Sequence, residues 1–214
     1  MPQKYLDAAR AETIPDGWSG LWYVKKWAIK EPTQGHHERY GWITCPPGSY
    51  TSLFRLTDDT LYNKPPGEVV MEDTPIELKS HLDFMMRAYG RVLVTGLGLG
   101  CVVRGLLVNP NVEHITVLEN SSDVLALVAE HMPKDERLSI VHADALEWTR
   151  KGNMSGFDLA YHDIWADRDN GQPHLDNLHM RLLFNCAKHV QFQFAWAFNR
   201  DFKRLLNNKG IKVL

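Results

Sequence analysis

The pattern of apolar and polar positions changes near residue 73 of this 214-residue chain. Before that point, short apolar and aromatic runs are separated by turn formers such as Pro46-Pro47-Gly48, and helical periodicity is weak. The runs lie at residues 21–30, 40–45 and 50–56. Because such runs are typical of strands joined by turns, the pattern predicts a small β-rich region over residues 1–72, with an antiparallel sheet or hairpins.

A helix is predicted directly after this region. Thr74-Pro75-Ile76-Glu77 is a capping box with proline at the first helical position, and apolar residues then recur at helical spacing as far as Gly90. The spacing predicts a helix from Pro75 to Tyr89.

After Gly90, strand-like and helix-like segments alternate. Strands are predicted at residues 92–95, 114–119, 138–142 and 157–163. Helices are predicted at residues 101–108, 122–131, 146–150 and 173–189. Because each crossover returns the chain to the same edge of a sheet, residues 73–214 are predicted to form a Rossmann-like, doubly wound, mostly parallel α/β domain. The sheet is expected to be cut short: either residues 190–194 form an abbreviated fifth strand, or the tail is helical from about residue 194.

Composition narrows the class of protein. The chain carries 24 Lys and Arg against 26 Asp and Glu, which argues against a surface adapted throughout to nucleic acid or anionic membrane. Its cysteines, Cys45, Cys101 and Cys186, form no CxxC pair, so neither a disulfide framework nor a cysteine zinc site is implied. No signal-peptide pattern and no apolar run of ~20 residues occurs, so we expect a cytoplasmic protein without a membrane span.

Candidate chemistry lies where the predicted strands end, because ligands of such sheets bind at the carboxyl edge. The first strand runs into Gly96, Gly98 and Gly100, whose backbone can turn tightly and approach a ligand. Glu119 ends the second strand and can accept hydrogen bonds from ribose hydroxyls. Asp144 follows the third strand, and Asp163 follows the fourth. An NAD fingerprint would place its third small residue at Cys101, which is a poor fit, and no phosphate-binding GxxxxGK[ST] occurs.

These four motifs in order resemble class I S-adenosylmethionine (SAM)-dependent methyltransferases, most closely the spermidine-synthase-like branch. The resemblance covers about residues 70–170. It implies that Gly96, Gly98 and Gly100 line the methionine and ribose portion of SAM, and that Glu119 binds the ribose hydroxyls. It further implies that Asn120, Asp144 and Ala145 contact the adenine, and that Asp163 faces the amino or sulfonium side of the cofactor.

Two departures from known patterns limit what the resemblance implies. Spermidine-synthase-type aminopropyltransferases continue after the fourth strand with a sequence like DSSDP, whereas this chain has Ala166 at the second aspartate position and Asp167 one residue later. The [N/D]PP[Y/F] loop of amino-group DNA methyltransferases is absent too. Trp165 could instead stack on a planar substrate, and His162 or Asp163 could take a proton. The alternatives are a core aromatic for Trp165 and a structural histidine for His162.

Two further sites are considered and not favoured. His162, Asp163, Asp167, Asp169, His174 and His179 lie close in sequence, but their spacing fits no named metal motif, so no metal is predicted. The tail from Lys188 is basic and aromatic, so nucleic acid binding is left open, although a solvated helix face explains the same residues. A homodimer is left open as well.

The sequence thus predicts a SAM-dependent methyltransferase acting on an unidentified acceptor. The alternatives are a non-catalytic SAM-binding or interaction protein and, less favoured, an aminopropyltransferase.

Overall fold

The structure is a computed structural model, which describes residues 2–37, 40–56, 67–152, 154–164, 174–195 and 210. By its internal contacts the chain divides into two compact units. The N-terminal unit comprises Met1–Met86, Gly98–Val108 and Ser121–Pro133. The parallel-sheet unit comprises Arg87–Leu97, Asn109–Asn120 and Lys134–Leu214. A domain boundary between residues 72 and 73 stays a prediction.

The parallel-sheet unit contains a five-stranded sheet in the order β11-β10-β7-β8-β9, with every neighbouring pair parallel. The strands are β7 (Gly90–Thr95), β8 (Val112–Glu119), β9 (Leu138–His142), β10 (Leu159–His162) and β11 (Phe192–Ala195). Along the chain, consecutive strands are connected by α3 (Cys101–Leu107), α4 (Ser122–Val128), α5 (Ala145–Arg150) and α6 (His174–Cys186). Of these helices, α3 and α4 are counted in the N-terminal unit. A short 3₁₀ helix, Ala129–His131, follows α4. The Rossmann-like prediction is therefore confirmed, and β11 is the abbreviated fifth strand.

The middle of the central strand β7 is apolar, as expected where both faces of a parallel sheet are buried. Val92, Leu93 and Val94 of β7 are at most 1% exposed. On one face, a cluster forms between the sheet and the helices α5 and α6 of the same unit. Its buried members are Leu93, Leu118, Ala145, Met154, Ala160, Leu182 and Cys186. One face of the parallel sheet is therefore packed against α5 and α6.

The N-terminal unit contains a four-stranded antiparallel sheet in the order β1-β2-β5-β6 and a separate hairpin, β3-β4. The strands are β1 (Gly17–Ser19), β2 (Trp22–Ile29), β3 (Thr33–His37), β4 (Gly41–Cys45), β5 (Gly48–Arg55) and β6 (Glu68–Glu72). The unit also holds α1 (Gln3–Ala8), and most of α2 (Pro75–Arg87) belongs to it. The predicted β-rich region is therefore confirmed. Within the described ranges, no helix combines the length and apolar character that crossing a bilayer requires.

Candidate functional site

The carboxyl ends of the parallel strands meet at one edge of the sheet. Thr95 of β7 is paired with Leu118 of β8 on one side and with His162 of β10 on the other. Glu119 is in turn paired with His142 of β9. The residues that follow these ends, Gly96, Asn120, Ala143 and Asp163, therefore come together, as the sequence predicts.

Gly96 makes a close backbone approach that no other residue could make. Its φ is 93°, in the region that favours glycine. Its N–H donates to Leu118 O at 2.8 Å, and a Cβ at this position would lie 2.0 Å from Asp163 O. The first glycine of the motif Gly96–Gly100 is thus required by the backbone that follows β10.

Glu119 faces the glycine motif. Its Oε2 accepts a hydrogen bond from the Leu97 N–H at 2.8 Å, and the residue is only 7% exposed. Two backbone hydrogen bonds fix the neighbouring chain, because Gly96 N–H donates to Leu118 O and Ala143 N–H donates to Glu119 O. The structure therefore brings Glu119 and the first half of the motif together, while its contact with ribose stays a prediction.

The predicted adenine residues differ in their surroundings. Asn120 is exposed, and its carbonyl is hydrogen-bonded to His142 Nε2 at 3.1 Å. Asp144 caps α5, since its Oδ1 accepts from the Glu147 N–H at 2.7 Å. Ala145 is the first residue of α5 and packs in the core cluster. Capping and packing thus account for the contacts of Asp144 and Ala145, and their contact with adenine stays a prediction.

The segment after β10 supplies a half-buried carboxylate. Asp163 N–H donates to Thr95 O at 2.9 Å, which extends the β7–β10 pairing past the strand end. The next residue, Ile164, donates its N–H to His179 Nε2 at 3.3 Å. Trp165, Ala166, Asp167 and Asp169 lie outside the described residues, so the stacking role of Trp165 stays a prediction.

His162 is completely buried, and both of its ring nitrogens are hydrogen-bonded within the parallel-sheet unit. Nδ1 lies 3.1 Å from Thr95 Oγ1, and Nε2 lies 3.1 Å from Gln193 Oε1. Gln193 in turn donates to the Leu183 carbonyl of α6 at 3.0 Å. Because a carbonyl oxygen can only accept, Nε2 carries the proton and Nδ1 accepts from the threonine hydroxyl.

Burial lowers the pKa of His162 to about 3. A neutral ring with both nitrogens engaged ties β7, β10 and β11 together, which favours the structural alternative. Its proton-accepting role stays a prediction that these contacts do not support. Sequence patterns do not reveal this network, because Gln193 lies 31 residues further along the chain.

The second half of the glycine motif belongs to the N-terminal unit. Gly98 has a φ of 52° and Gly100 a φ of 74°, so all three glycines of the motif have positive φ. Gly100 occupies the N-cap position of α3, and its carbonyl accepts from the Arg104 N–H at 2.9 Å. Leu99 N–H donates to the sulfur of Met71, at the end of β6, at 3.2 Å. Sequence reasoning missed Met71, because an apolar strand residue carries no motif.

The remaining candidates of the sequence gain no support as sites. Within residues 2–37, 40–56, 67–152, 154–164 and 174–195, no group of three or more His, Cys, Asp or Glu side chains is placed to hold a metal ion. Most of the basic and aromatic tail residues, from Trp196 to Lys209, lie outside the described ranges, so nucleic acid binding stays open.

Comparisons with known proteins support the resemblance. No family model matches the chain. Polyamine aminopropyltransferase 2 of Caldanaerobacter subterraneus subsp. tengcongensis is 32% identical over 83 residues, which are 37% of this chain and 28% of that protein. This chain therefore matches about a quarter of the relative's length. The resemblance to the spermidine-synthase-like branch, predicted from the four strand-end motifs, is confirmed over this segment.

Two solved structures are similar to part of the chain. Human methyltransferase-like protein 13, in complex with S-adenosylhomocysteine (SAH), has 17% identity and a TM-score of 0.39, covering 53% of this chain and 58% of its own. Bordetella bronchiseptica WbmG, in complex with NAD and UDP, has 16% identity and a TM-score of 0.39, covering 51% and 38%.

Proposed function

We propose that the carboxyl edge of the parallel sheet binds SAM and that the chain is a SAM-dependent methyltransferase. The observation that carries the proposal is the buried carboxylate of Glu119, hydrogen-bonded to the Leu97 N–H of the glycine motif. It places an acidic acceptor beside a backbone turn that is bare of side chains at Gly96. An adenosyl ligand needs both features: an acceptor for its ribose hydroxyls and a backbone segment that the ribose can approach closely.

The fit of the cofactor rests on three groups of this chain. Gly96 lets the backbone of the glycine motif lie directly against the Asp163 carbonyl, where a Cβ would collide, so the turn stays tight beside Glu119. Glu119 would hold the ribose hydroxyls, and the half-buried Asp163 lies at the end of the neighbouring strand, where it would bind the amino group or hold the proton that the acceptor loses. SAM supplies an activated methyl group, so the protein mainly has to position the acceptor in line and exclude water.

A binding experiment tests the cofactor. Calorimetry of the full chain with SAM, SAH and NAD should show binding of SAM and SAH. Glu119→Gln keeps an oxygen that can accept from Leu97 but removes the charge, so SAH affinity should fall about tenfold, the typical weight of one charge-assisted hydrogen bond. Glu113→Gln is the matched control, because Glu113 lies on the same strand β8 but is exposed. Binding of NAD in place of SAH, or equal losses in both variants, would contradict the proposal.

Aminopropyl transfer is the second candidate, favoured by the aminopropyltransferase relative. In both reactions a nucleophile attacks a carbon that is bonded to the sulfonium sulfur, and the rest of the cofactor leaves as a neutral thioether. The thioether product is SAH in methyl transfer and methylthioadenosine in aminopropyl transfer. Incubation with tritium-labelled SAM and fractionated protein, RNA and small molecules should give labelled acceptor and SAH. Release of methylthioadenosine from decarboxylated SAM and putrescine would instead establish the second candidate. Binding without either product would leave the non-catalytic alternative.

A further inference from the structure

The thioether of Met71 makes two close approaches to the glycine motif. Its sulfur accepts a hydrogen bond from the Leu99 N–H at 3.2 Å. The same sulfur lies 2.6 Å from the position that a Cβ on Gly98 would take. Leu99 is fully buried and Met71 is 7% exposed, so both contacts lie in the protein interior. One side chain of β6 therefore contacts two successive residues of the motif.

The backbone on both sides of Met71 is held firmly within the N-terminal unit. Met71 is paired with Leu53 of β5. Two residues further on, the fully buried carboxylate of Asp73 accepts from the N–H of Thr51 at 2.7 Å and from the N–H of Ala11 at 2.9 Å. Arg10 Nε also donates to it, at 3.0 Å. This network fixes the end of β6 and hence the direction in which Met71 leaves the sheet.

The buried Leu99 N–H needs a hydrogen-bond acceptor, and the sulfur of Met71 is that acceptor. A buried backbone donor requires an acceptor, because water cannot reach it. A thioether is a weak acceptor, but it is long and unbranched, so it can fill the space that Gly98 leaves open and still present its sulfur to the next N–H. An aliphatic side chain of the same volume could fill that space but could not accept the hydrogen bond.

We propose that Met71 is a positioning residue of the glycine motif, whose conformation sets the affinity for the adenosyl cofactor. The proposal rests on the proposed function for its ligand, SAM. Met71 does not touch the cofactor in this proposal. It holds the Leu99 N–H, and with it the second half of the motif, in the conformation that binds.

Met71→Leu tests the role of the sulfur, since it nearly conserves volume and removes the acceptor. Met132→Leu is the matched control, because Met132 is another buried methionine of the same unit, at 5% exposure. In Met71→Leu, hydrogen exchange at the Leu99 amide should accelerate about tenfold and the Kd for SAH should rise about fivefold, the usual scale for one lost hydrogen bond. In Met132→Leu both quantities should stay at the wild-type value. Unchanged Leu99 exchange, or faster exchange with unchanged SAH affinity, would overturn the proposal.

A second variant separates the acceptor from packing and guards against misfolding of the first. Met71→Gln carries an oxygen near the end of a similarly long side chain, so it should retain most of the Leu99 protection. Exchange as fast as in Met71→Leu would show that packing alone matters and would overturn the proposal. If the wild-type chain binds neither SAM nor SAH, the proposed function fails, whereas the exchange measurements still decide whether Met71 positions the motif.

Discussion

The two halves of the glycine motif are held by different kinds of atoms. Gly96 lies against a backbone carbonyl, Asp163 O, and Leu97 donates to a buried carboxylate, both within the parallel-sheet unit. Gly98 and Leu99 lie against the flexible thioether of Met71, within the N-terminal unit. The same residue type is therefore required for different reasons: a backbone neighbour cannot yield, whereas the end of a methionine side chain can.

The sharpest test of this difference is Gly96→Ala, which should have the largest effect. A Cβ at residue 96 would lie 2.0 Å from Asp163 O, and a φ of 93° strains any L-residue. The backbone after β7 or β10 must therefore move. We expect a loss of about 4 kcal/mol in the free energy of unfolding, measured by urea denaturation, together with loss of SAH binding.

Gly152→Ala is the control for Gly96→Ala. Gly152 also has a positive φ, 79°, but a Cβ there would meet nothing within 4 Å. It should cost only about 1 kcal/mol, the penalty of the backbone conformation itself. Equal losses in the two variants would show that the contact with Asp163 O does not contribute to the cost of Gly96→Ala.

The same difference explains how far the sequence predicts the site. Gly96 and Glu119 were predictable, because strand ends and glycine spacing leave a pattern in the sequence and parallel pairing then brings them together. Met71 was not, since a thioether that accepts a backbone hydrogen bond is indistinguishable in sequence from an ordinary core residue. The contacts of His162 depend on Gln193 in β11, a pairing that no local pattern specifies.

Sequence patterns likewise predict some of the helices and strands and miss others. The sequence predicts a helix from Pro75, and the structure begins it there but ends it at Arg87 rather than Tyr89. Strand β9 occupies the predicted residues 138–142. Sequence patterns missed β1, which has only three residues, and β3, whose residues Thr33–His37 are polar or glycine. Their strand conformation comes from pairing with β2 and β4, not from apolar alternation.

The two units can also be compared by how strongly acid lowers their stability. The expected effect lies between those of Gly96→Ala and Gly98→Ala. Among the residues whose burial the structure describes, one histidine in each unit is completely buried: His81 in the N-terminal unit and His162 in the parallel-sheet unit. Burial lowers the pKa of each from 6.5 to about 3, with the charge on nearby His37 contributing at His81. Between these values the unfolded chain binds the proton and the folded chain does not. Stability is therefore complete above pH 6.5 and falls as the pH drops toward 3.

Because the pKa of each histidine is lower in the folded chain than in the unfolded chain, lowering the pH from 7 to 5 should reduce the free energy of unfolding by about 2 kcal/mol per histidine. Urea denaturation of His81→Gln and His162→Gln at both pH values should show a pH-dependent loss reduced by about that amount in each variant. The double variant should lose both contributions. A variant that keeps the wild-type pH dependence would show that its histidine is protonated in the folded chain.

Gly98→Ala should have the smallest effect, although its glycine belongs to the same motif. The new Cβ would lie 2.6 Å from Met71 Sδ, but a methionine side chain can rotate away, and a φ of 52° is the least unfavourable left-handed value for alanine. We expect a loss of about 1.5 kcal/mol in the free energy of unfolding, well below that of Gly96→Ala. Combined with Met71→Ala, the loss should be smaller than the sum of the single losses, because the shorter side chain removes the collision. When Gly96→Ala is combined with Met71→Ala, the losses in the free energy of unfolding should add. Additive losses for the Gly98 pair together with non-additive losses for the Gly96 pair would show that Met71 is coupled to the first half of the motif rather than the second.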